Sequence, residues 1–177
     1  SMCIPEMMRI LMDDYNYSWE KAWEITIKVF AYTNHTIMAE ALEKWSVDLF
    51  APILPRIYTI IREINNRFCQ YCNEIGAASD LESMSIIHNN MIRMANLCIV
   101  GSYNVNGVSG LHTDILKADT FEAFNRIYPG KFNNVTNGIA HRRWLGQANP
   151  ELTNYLNGLL GGDFIKDLSN IEELLKY

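Results

Sequence analysis

The sequence predicts a helix-rich α/β fold in which a few short parallel strands are flanked by helices. The clearest observation is a stripe of apolar residues at intervals of three and four within residues 46–75, which is typical of one face of a long helix. The second observation is a pair of short segments rich in β-branched, aromatic or other apolar residues, which predict strands at 29–33 and 94–100. A third short extended segment is predicted at 131–138. Helical patterns separate these segments, and strands that alternate with helices favour a parallel sheet.

Composition and charge describe one ordinary soluble globular unit. The chain has 177 residues, 49% of them hydrophobic, and 20 acidic against 15 basic side chains give a net charge of −5. Because phosphate binding needs clustered Lys and Arg, this balance argues against a nucleic-acid partner. No apolar stretch approaches the ~20 residues that cross a bilayer, so we expect no membrane association.

The cysteines argue against a redox or metal site. Cys69 and Cys72 form a CxxC pair deep inside the predicted long helix, whereas a redox pair normally opens a helix, where the dipole lowers the pKa of the thiol. A zinc site would need a second pair of ligands, and the histidines lack the spacing to supply it. We interpret the pair as reduced thiols packed in a helix, expect no metal, and expect a cytoplasmic protein.

The chain begins with two predicted helices and a strand. Pro5 suits the first turn of a helix over residues 4–15, and Ser18 is an N-cap candidate for the helix that follows. Residues 29–33 then predict a short buried strand, which ends at Asn34-His35-Thr36. Open α/β sheets bind ligands beyond the carboxyl ends of their strands, so this tripeptide is the first candidate for a functional site.

The long helix comes next. Its apolar stripe comprises Ile53, Ile57, Ile60, Ile61, Ile64, Phe68, Tyr71, Cys72 and Ile75. Pro52 and Pro55 lie near its start, so we predict a separate turn first and a regular helix from about Pro55. Residues 76–79, which begin with a glycine, end the helix.

A strand, a glycine-bearing turn and a helix follow in that order. Residues 94–100 predict the strand, 101–107 the turn and 108–116 the helix, which is the pattern of a βα unit. The glycine spacing does not match a dinucleotide-binding loop, so we interpret the glycines as positions of close backbone approach.

The last part of the sequence predicts three helices and one extended segment. A short helix spans 120–128, and residues 131–138 read as an extended segment that ends in Asn-Gly. Two closing helices are predicted at 142–160 and 163–176, separated by a pair of glycines.

Polar residues at the strand ends are the candidates for chemistry. His35 lies between two other hydrogen-bonding residues, which suits neutral contacts with a hydroxyl-rich ligand, although a structural hydrogen bond is the commoner role of such a histidine. Asn137-Gly138 allows the same two interpretations, a ligand contact or a simple turn.

Other polar residues are more ambiguous. We interpret His112 as packed in the core, and we expect Tyr103 and Asn106, on the glycine-bearing turn, to be better placed to touch a ligand. Arg142-Arg143 predict a structural ion pair, with a phosphate contact as the alternative. The sequence has no recognisable serine nucleophile elbow, phosphate-binding loop, pair of catalytic carboxylates or metal cluster.

Several of these segments together resemble the α-glucan phosphorylase family, that is, the glycogen, starch and maltodextrin phosphorylases. The resemblance extends in family order over nearly the whole chain. It is carried by Trp19-Glu-Lys-Ala-Trp-Glu-Ile, Ala31-Tyr-Thr-Asn-His-Thr36, Glu40-Ala-Leu-Glu-Lys-Trp45, Arg93-Met-Ala-Asn-Leu-Cys-Ile-Val-Gly-Ser102, Val105-Asn-Gly-Val108, Lys131-Phe-Asn-Asn-Val-Thr-Asn-Gly-Ile139 and Arg142-Arg-Trp-Leu145.

The resemblance implies an internal fragment of a two-domain fold of the glycosyltransferase-B type. Residues 1–137 match the later part of the N-terminal domain, and residues 138–177 match the start of the passage into the C-terminal domain. The family's pyridoxal-phosphate lysine and its main phosphate-binding residues belong to the C-terminal half. We therefore expect pyridoxal phosphate in the full-length enzyme and no cofactor-binding residue in this chain.

The resemblance also assigns roles to individual residues. His35 matches the family's catalytic-site histidine, which contacts the glucosyl unit, and Asn137 matches an asparagine that holds a sugar hydroxyl. Asn34, Thr36 and Glu43 match neighbours that line the same substrate pocket. The implied reaction is phosphorolysis of the terminal bond of an α-1,4-glucan by inorganic phosphate, in a cytoplasmic enzyme that is a homodimer at full length.

Two departures from the family pattern are visible. Tyr103 stands where the mammalian enzymes have histidine, and Ala140-His141 replaces a common Thr-Pro, which should loosen the start of the following helix. We expect the isolated chain to be inactive because half of the active site is missing. The alternative interpretation is a non-catalytic carbohydrate-binding or assembly module with the same fold.

Overall fold

Short strands and helices of very different length follow one another along the chain. The computed structural model describes residues 1–177. The helices are α1 (Cys3–Arg9), α2 (Trp19–Val29), α3 (Val47–Ile53), α4 (Pro55–Glu74), α5 (Leu81–Met84), α6 (Met94–Gly101), α7 (Gly110–Ile115), α8 (Glu122–Ile127) and α9 (Pro150–Leu160). The strands are β1 (Ala31–Thr33), β2 (Lys44–Ser46), β3 (Ile87–His88), β4 (Met91–Arg93), β5 (Asn104–Gly107) and β6 (Phe132–Asn134).

The chain divides into two compact units, Ser1–Thr136 and Asn137–Tyr177. All six strands and the first eight helices belong to the first unit. No helix in either unit is both long and apolar enough to cross a membrane.

A parallel sheet of three strands organises the first unit. Its order is β1-β5-β6, with Tyr32 opposite Val105 and Asn106 opposite Asn133. Because both pairs are parallel, the carboxyl ends of all three strands lie at one edge of the sheet, which we call the carboxyl edge. The predicted helix-rich α/β fold with a few short parallel strands is therefore confirmed.

The middle strand of this sheet is not the predicted one. Residues 94–100, predicted as a strand, lie in helix α6, whose eight residues are all buried. A helix buried on every side is apolar on every side, so periodicity cannot distinguish it from a buried strand. The strand is β5 instead, which lies within the segment predicted as a turn.

A second, antiparallel sheet, which the sequence does not predict, is formed by the three strands that lie between β1 and β5 in the sequence. Its order is β2-β4-β3, and a two-residue loop joins β3 to β4. Both loop residues, Asn89 and Asn90, have positive φ, of 48° and 60°. This conformation belongs to the tight hairpin turns that favour asparagine and glycine, so the Asn-Asn pair was the available signal.

The helices of the first unit follow the predicted pattern closely. The Ser18 hydroxyl accepts a hydrogen bond from the Lys21 N–H (3.3 Å) and caps α2, as predicted. Helix α4 begins at Pro55 and buries one face, and the preceding segment forms the separate short helix α3. Gly76, with φ of 77°, follows the end of α4. The buried face of α4 consists of Ile57, Ile60, Ile61, Ile64, Phe68 and Cys72.

The CxxC pair is a packing feature of α4. Both thiols are free, and burial raises the pKa of the Cys72 thiol to about 11. The Phe68 ring, one turn earlier, stacks on Phe124 of α8 with ring centroids 5.8 Å apart. The predicted partial packing of the pair within the long helix is confirmed, with Cys72 buried and Cys69 half-buried.

The second unit is helical but more broken than predicted. A π-helical turn over Arg142–Gln147 precedes α9, which begins at Pro150 after an Asn149 cap. The Asn149 side chain accepts a hydrogen bond from the Leu152 N–H (3.1 Å). A 3₁₀ helix over Leu168–Lys176 replaces the α-helix predicted at 163–176. The predicted continuous helix 142–160 is wrong because Asn149-Pro150 starts a new one.

Candidate functional site

The carboxyl edge brings together the polar segments that follow β1, β5 and β6. Asn34-His35-Thr36 follows β1, Val108 and Ser109 follow β5, and Val135 and Thr136 follow β6. The helix after β5 also begins here, because only two residues separate β5 from α7. This edge is therefore where the fold places the predicted tripeptide Asn34-His35-Thr36.

Asn34 is the hydrogen-bonding centre of the edge. Its side chain is buried, with the residue only 1% exposed. The Asn34 amide oxygen accepts hydrogen bonds from the Thr36 N–H (3.0 Å) and the His112 ring (3.0 Å), and its Nδ2 donates to the Tyr32 hydroxyl (3.1 Å). The backbone N–H of Asn34 donates to the Asn106 carbonyl (2.9 Å). Asn34 therefore fixes the turn that follows β1.

His112 is held in one tautomer by its two partners. The Val108 N–H donates to Nδ1 (3.1 Å), so Nδ1 is an acceptor and the proton lies on Nε2, which donates to Asn34 Oδ1. The ring is half-buried. The sequence predicts His112 as a packed residue, and it does not reveal this link to Asn34. The available signal was its position in the first turn of a helix directly after a strand, capped by Ser109 (3.1 Å).

His35 is the free side chain of the tripeptide. It is exposed and makes no hydrogen bond, whereas its two neighbours are engaged. Thr36 is half-buried, and its hydroxyl accepts from the Met38 N–H (3.0 Å). The fixed neighbours on either side present the imidazole of His35 to solvent at the carboxyl edge.

Gly107 allows helix α7 to pack directly against the end of β5. A Cβ atom on Gly107 would lie 3.0 Å from Thr113 Cα and 3.1 Å from Thr113 N, and closer still to the Thr113 hydroxyl. That hydroxyl donates to the Ser109 carbonyl (2.8 Å) and lies 3.2 Å from Asn134 Oδ1. The predicted close backbone approach is confirmed at this glycine.

The other candidates of the first unit lie elsewhere or are differently engaged. The Asn106 amide oxygen accepts from the Thr33 hydroxyl (2.8 Å), so Asn106 ties β5 to β1. Tyr103 precedes β5 and therefore lies at the amino edge, opposite His35, so its predicted position at the carboxyl end of a strand is wrong. It was misplaced because the strand was predicted on the wrong side of it.

Glu43 lies just before β2 and lines a different concavity. Its carboxylate accepts from the Trp45 indole (2.8 Å) and from the Ser1 hydroxyl (3.4 Å). It shares a cleft of about 350 Å³ with Arg93 and Asp119. No hydrogen bond joins the Glu43 carboxylate to the turn after β1.

Asn137 and the two arginines belong to the second unit. Asn137 is exposed. Arg142 and Arg143 form no ion pair, so the expected structural pair is not observed, and the Arg143 guanidinium lies 6.0 Å from the centre of the Trp144 ring. No group of three or more His, Cys, Asp or Glu side chains in either unit is placed to hold a metal ion.

We expect His112→Ala to lower the free energy of unfolding by about 2 kcal/mol, because the Val108 N–H and one acceptor position of the buried Asn34 lose their partner. Urea unfolding followed by circular dichroism measures this change. His88→Ala is the control, since the His88 ring makes no side-chain hydrogen bond. His112→Asn, whose amide oxygen can replace Nδ1, should recover part of the loss. Equal stability of His112→Ala and the unmodified chain would contradict the prediction.

Comparison with known proteins gives one consistent result. The family model described as carbohydrate phosphorylase matches residues 1–177. The chain is 48% identical over 179 residues to a glycogen phosphorylase of Bacillus subtilis (strain 168). It is 46% identical to the cytosolic α-glucan phosphorylase 2 of Arabidopsis thaliana and 46% identical to the muscle form of glycogen phosphorylase of Ovis aries. Each match covers 100% of this chain and 22% of the relative, so the chain spans about a fifth of their length.

Proposed function

Because the chain belongs to the carbohydrate phosphorylase family, we propose that it carries part of the glucosyl-binding site of an α-glucan phosphorylase. The whole enzyme would release glucose 1-phosphate from the ends of α-1,4-glucan chains, with inorganic phosphate as the second substrate. His35 is the proposed catalytic residue of this part. Asn34, Thr36, Glu43 and Asn137 are the proposed substrate-binding residues. The assignment of Glu43 rests on the family resemblance alone, because its side chain lines a separate cleft.

The observation that carries the proposal is the state of His35 at the carboxyl edge. Its imidazole is exposed and unpaired, while the buried Asn34 beside it is fixed by Tyr32 and His112. An imidazole with free hydrogen-bonding atoms on a fixed turn suits a sugar hydroxyl. Within this proposal, Asn34 acts mainly as a positioning residue, because its own oxygen already accepts two hydrogen bonds.

The part of the reaction assigned to this chain is orientation of the sugar. The turn that carries His35 is fixed before the substrate arrives, so it need not reorganise when charge develops on the sugar ring, and a hydrogen bond from His35 can strengthen in the transition state. Asn137 is proposed to hold a sugar hydroxyl. Such a mechanism does not require the paired carboxylates of the glycosidases, and no such pair was found in the sequence.

The residues at the carboxyl edge do not fit pyridoxal phosphate. The three segments that follow the strands there contribute amides, hydroxyls and imidazole, with no lysine to form a Schiff base and no arginine to hold a phosphate. Lys131 lies at the amino edge, just before β6. The proposal therefore assigns cofactor binding in the whole enzyme to residues outside this chain.

We expect the isolated chain neither to bind pyridoxal phosphate nor to phosphorolyse glucan, because its carboxyl edge lacks the groups that would hold the cofactor. The measurements are cofactor absorbance after dialysis and release of glucose 1-phosphate from maltoheptaose and inorganic phosphate. A longer phosphorylase chain that contains this sequence is the positive control. Stoichiometric cofactor or measurable turnover in the isolated chain would contradict the prediction.

A titration with maltoheptaose separates the proposal from the alternative of a non-catalytic carbohydrate-binding module. Binding to the isolated chain that saturates without cofactor, and that survives His35→Ala, would favour the module. An interaction that appears only in the longer chain and weakens with His35→Ala would favour the enzyme. For that longer protein we propose a cytoplasmic location and a homodimer, in line with the family resemblance.

A further inference from the structure

A second concavity, larger than the cleft that contains Glu43, lies at the amino edge of the parallel sheet, whereas His35 lies at the carboxyl edge. Its volume is about 810 Å³, and residues that precede β5 and β6 help to line it. We call it the amino-edge cleft. Ligand pockets typically measure about 300–1,000 Å³, so the cleft could accommodate a small organic molecule. It shares no residue with the carboxyl edge.

Aromatic rings form much of the cleft wall. Trp19 and Trp23 come from α2, Tyr71 comes from α4, and Tyr103 and Tyr128 lie beside the sheet. The rings of Tyr71 and Tyr128 are nearly parallel, with an angle of 6° and centroids 6.2 Å apart. Flat, apolar surfaces of this kind favour a flat ring system as ligand.

The cleft contains one positive charge without a partner. Arg67 pairs with Glu63 and Glu20, and Lys28 pairs with Glu24. Lys131 pairs with no carboxylate.

The Lys131 amine lies over a ring instead, with Nζ 4.4 Å from the centre of Tyr128. Burial lowers the pKa of Lys131 to about 8, so the amine is still mostly protonated at neutral pH. A partly desolvated cation with no counter-charge is unfavourable and would be stabilised by an anion.

Ser102 adds a buried hydroxyl without a partner. The residue lines the cleft and is 2% exposed, and its Oγ makes no hydrogen bond. Most buried polar groups in proteins are hydrogen-bonded, so an orphan hydroxyl beside a cleft indicates a contact still to be made. The hydroxyl can donate to or accept from a ligand.

We propose that the amino-edge cleft binds a small aromatic monocarboxylate, with its ring against the tyrosine and tryptophan side chains, its carboxylate paired with Lys131, and Ser102 supplying a hydrogen bond. A single unpaired cation matches a single negative charge. A phosphate, with about −1.5 to −2 charges at neutral pH, would call for a second cation. The other two cations of the cleft already have carboxylate partners.

The test is a titration of the 177-residue chain with 2-naphthoate, followed by calorimetry, with tryptophan fluorescence, to which Trp19 and Trp23 of the cleft contribute, as a second readout. The matched neutral ligand is 2-naphthamide, which has a similar shape and no charge. We expect saturable binding of 2-naphthoate that is about tenfold tighter than that of the amide. Equal affinities, or no saturable binding of 2-naphthoate, would overturn the proposal without the use of any variant.

Variants locate the site. Lys131→Met is expected to weaken 2-naphthoate binding about tenfold and to leave 2-naphthamide binding within about twofold, because it removes only the charge. Ser102→Ala should weaken both ligands by less. Lys117→Met, a lysine outside the cleft, is the control and should change neither affinity. An unchanged affinity in Lys131→Met would place the ligand elsewhere and overturn the proposal.

Two further results would also overturn it. The first is a dimer, detected by sedimentation, that does not dissociate when 2-naphthoate is added. It would indicate that a second copy of the chain fills the cleft. Binding that is present in this chain but lost in a longer phosphorylase chain would indicate that the cleft is an internal contact of the whole protein. Retained binding in the longer chain supports the proposal.

Discussion

Replacement of Gly107 with alanine is expected to lower the free energy of unfolding by roughly 3 kcal/mol or more, because overpacking against backbone is costly. The new Cβ would lie within 3.1 Å of the N and Cα atoms of Thr113 and against its hydroxyl. Thr113 is buried and tied to Ser109, so it cannot turn away as an exposed side chain could. Gly107 does not have a positive φ, so the expected loss of stability comes from the close approach of Thr113 and not from a strained backbone.

Displacement of α7 should also disturb the candidate site. His112 is the neighbour of Thr113 and donates to Asn34, so a shift of this turn pulls on the residue that fixes the His35 loop. The expected signature in Gly107→Ala is a loss of amide protection at Thr36 and Val108, whose N–H groups donate to Asn34 and His112. Hydrogen exchange measured by NMR would detect it.

Gly110→Ala is the matched control. Gly110 is the first residue of α7, and an added Cβ has no heavy atom within 4 Å. Because alanine favours helix over glycine, we expect this variant to be unchanged or stabilised by up to about 1 kcal/mol. Urea unfolding of the two variants under the same conditions gives the comparison. If both glycine replacements have the same effect, the close-packing explanation is wrong.

Side-chain pattern explains which elements could be predicted. Helix α4 was predictable because its buried face repeats every three or four residues along 20 residues. Strand β5 was not, because its sequence is Asn-Val-Asn-Gly, and only the side chain of Val105 gives an apolar signal. Its strand conformation comes from pairing with β1 on one side and β6 on the other, which are distant in sequence.

The same limit applies to the candidate site. The prediction that polar residues gather at one edge needs only the parallel order of the strands. It puts His35 just after the first strand, which is where the structure has it. The strand was predicted at 94–100, before Tyr103, but the structure has it at β5, after Tyr103. Tyr103 therefore lies at the amino edge instead of the carboxyl edge. The Asn34–His112 hydrogen bond joins residues 78 positions apart, and no local pattern could reveal it.

His35→Ala, made in a longer phosphorylase chain that contains this sequence, is expected to lower kcat/KM by the equivalent of about 2–4 kcal/mol, as loss of a hydrogen bond made in the transition state does. The structure allows this loss to be separated from a loss of folding. His35 is exposed and makes no hydrogen bond, so the variant should unfold at the same urea concentration as the parent.

The decisive measurement for His35 is the division of the effect between kcat and KM for phosphorolysis. A hydrogen bond that forms mainly in the transition state lowers kcat with little change in KM, whereas a simple binding contact raises KM alone. His88→Ala, in the hairpin of the antiparallel sheet, is the histidine control and should retain the parent rate. Thr36, whose hydroxyl accepts from Met38, should matter less than His35, because its side chain already has a partner. A rate for His35→Ala equal to that of His88→Ala would refute the assignment of His35, while leaving its place at the carboxyl edge intact.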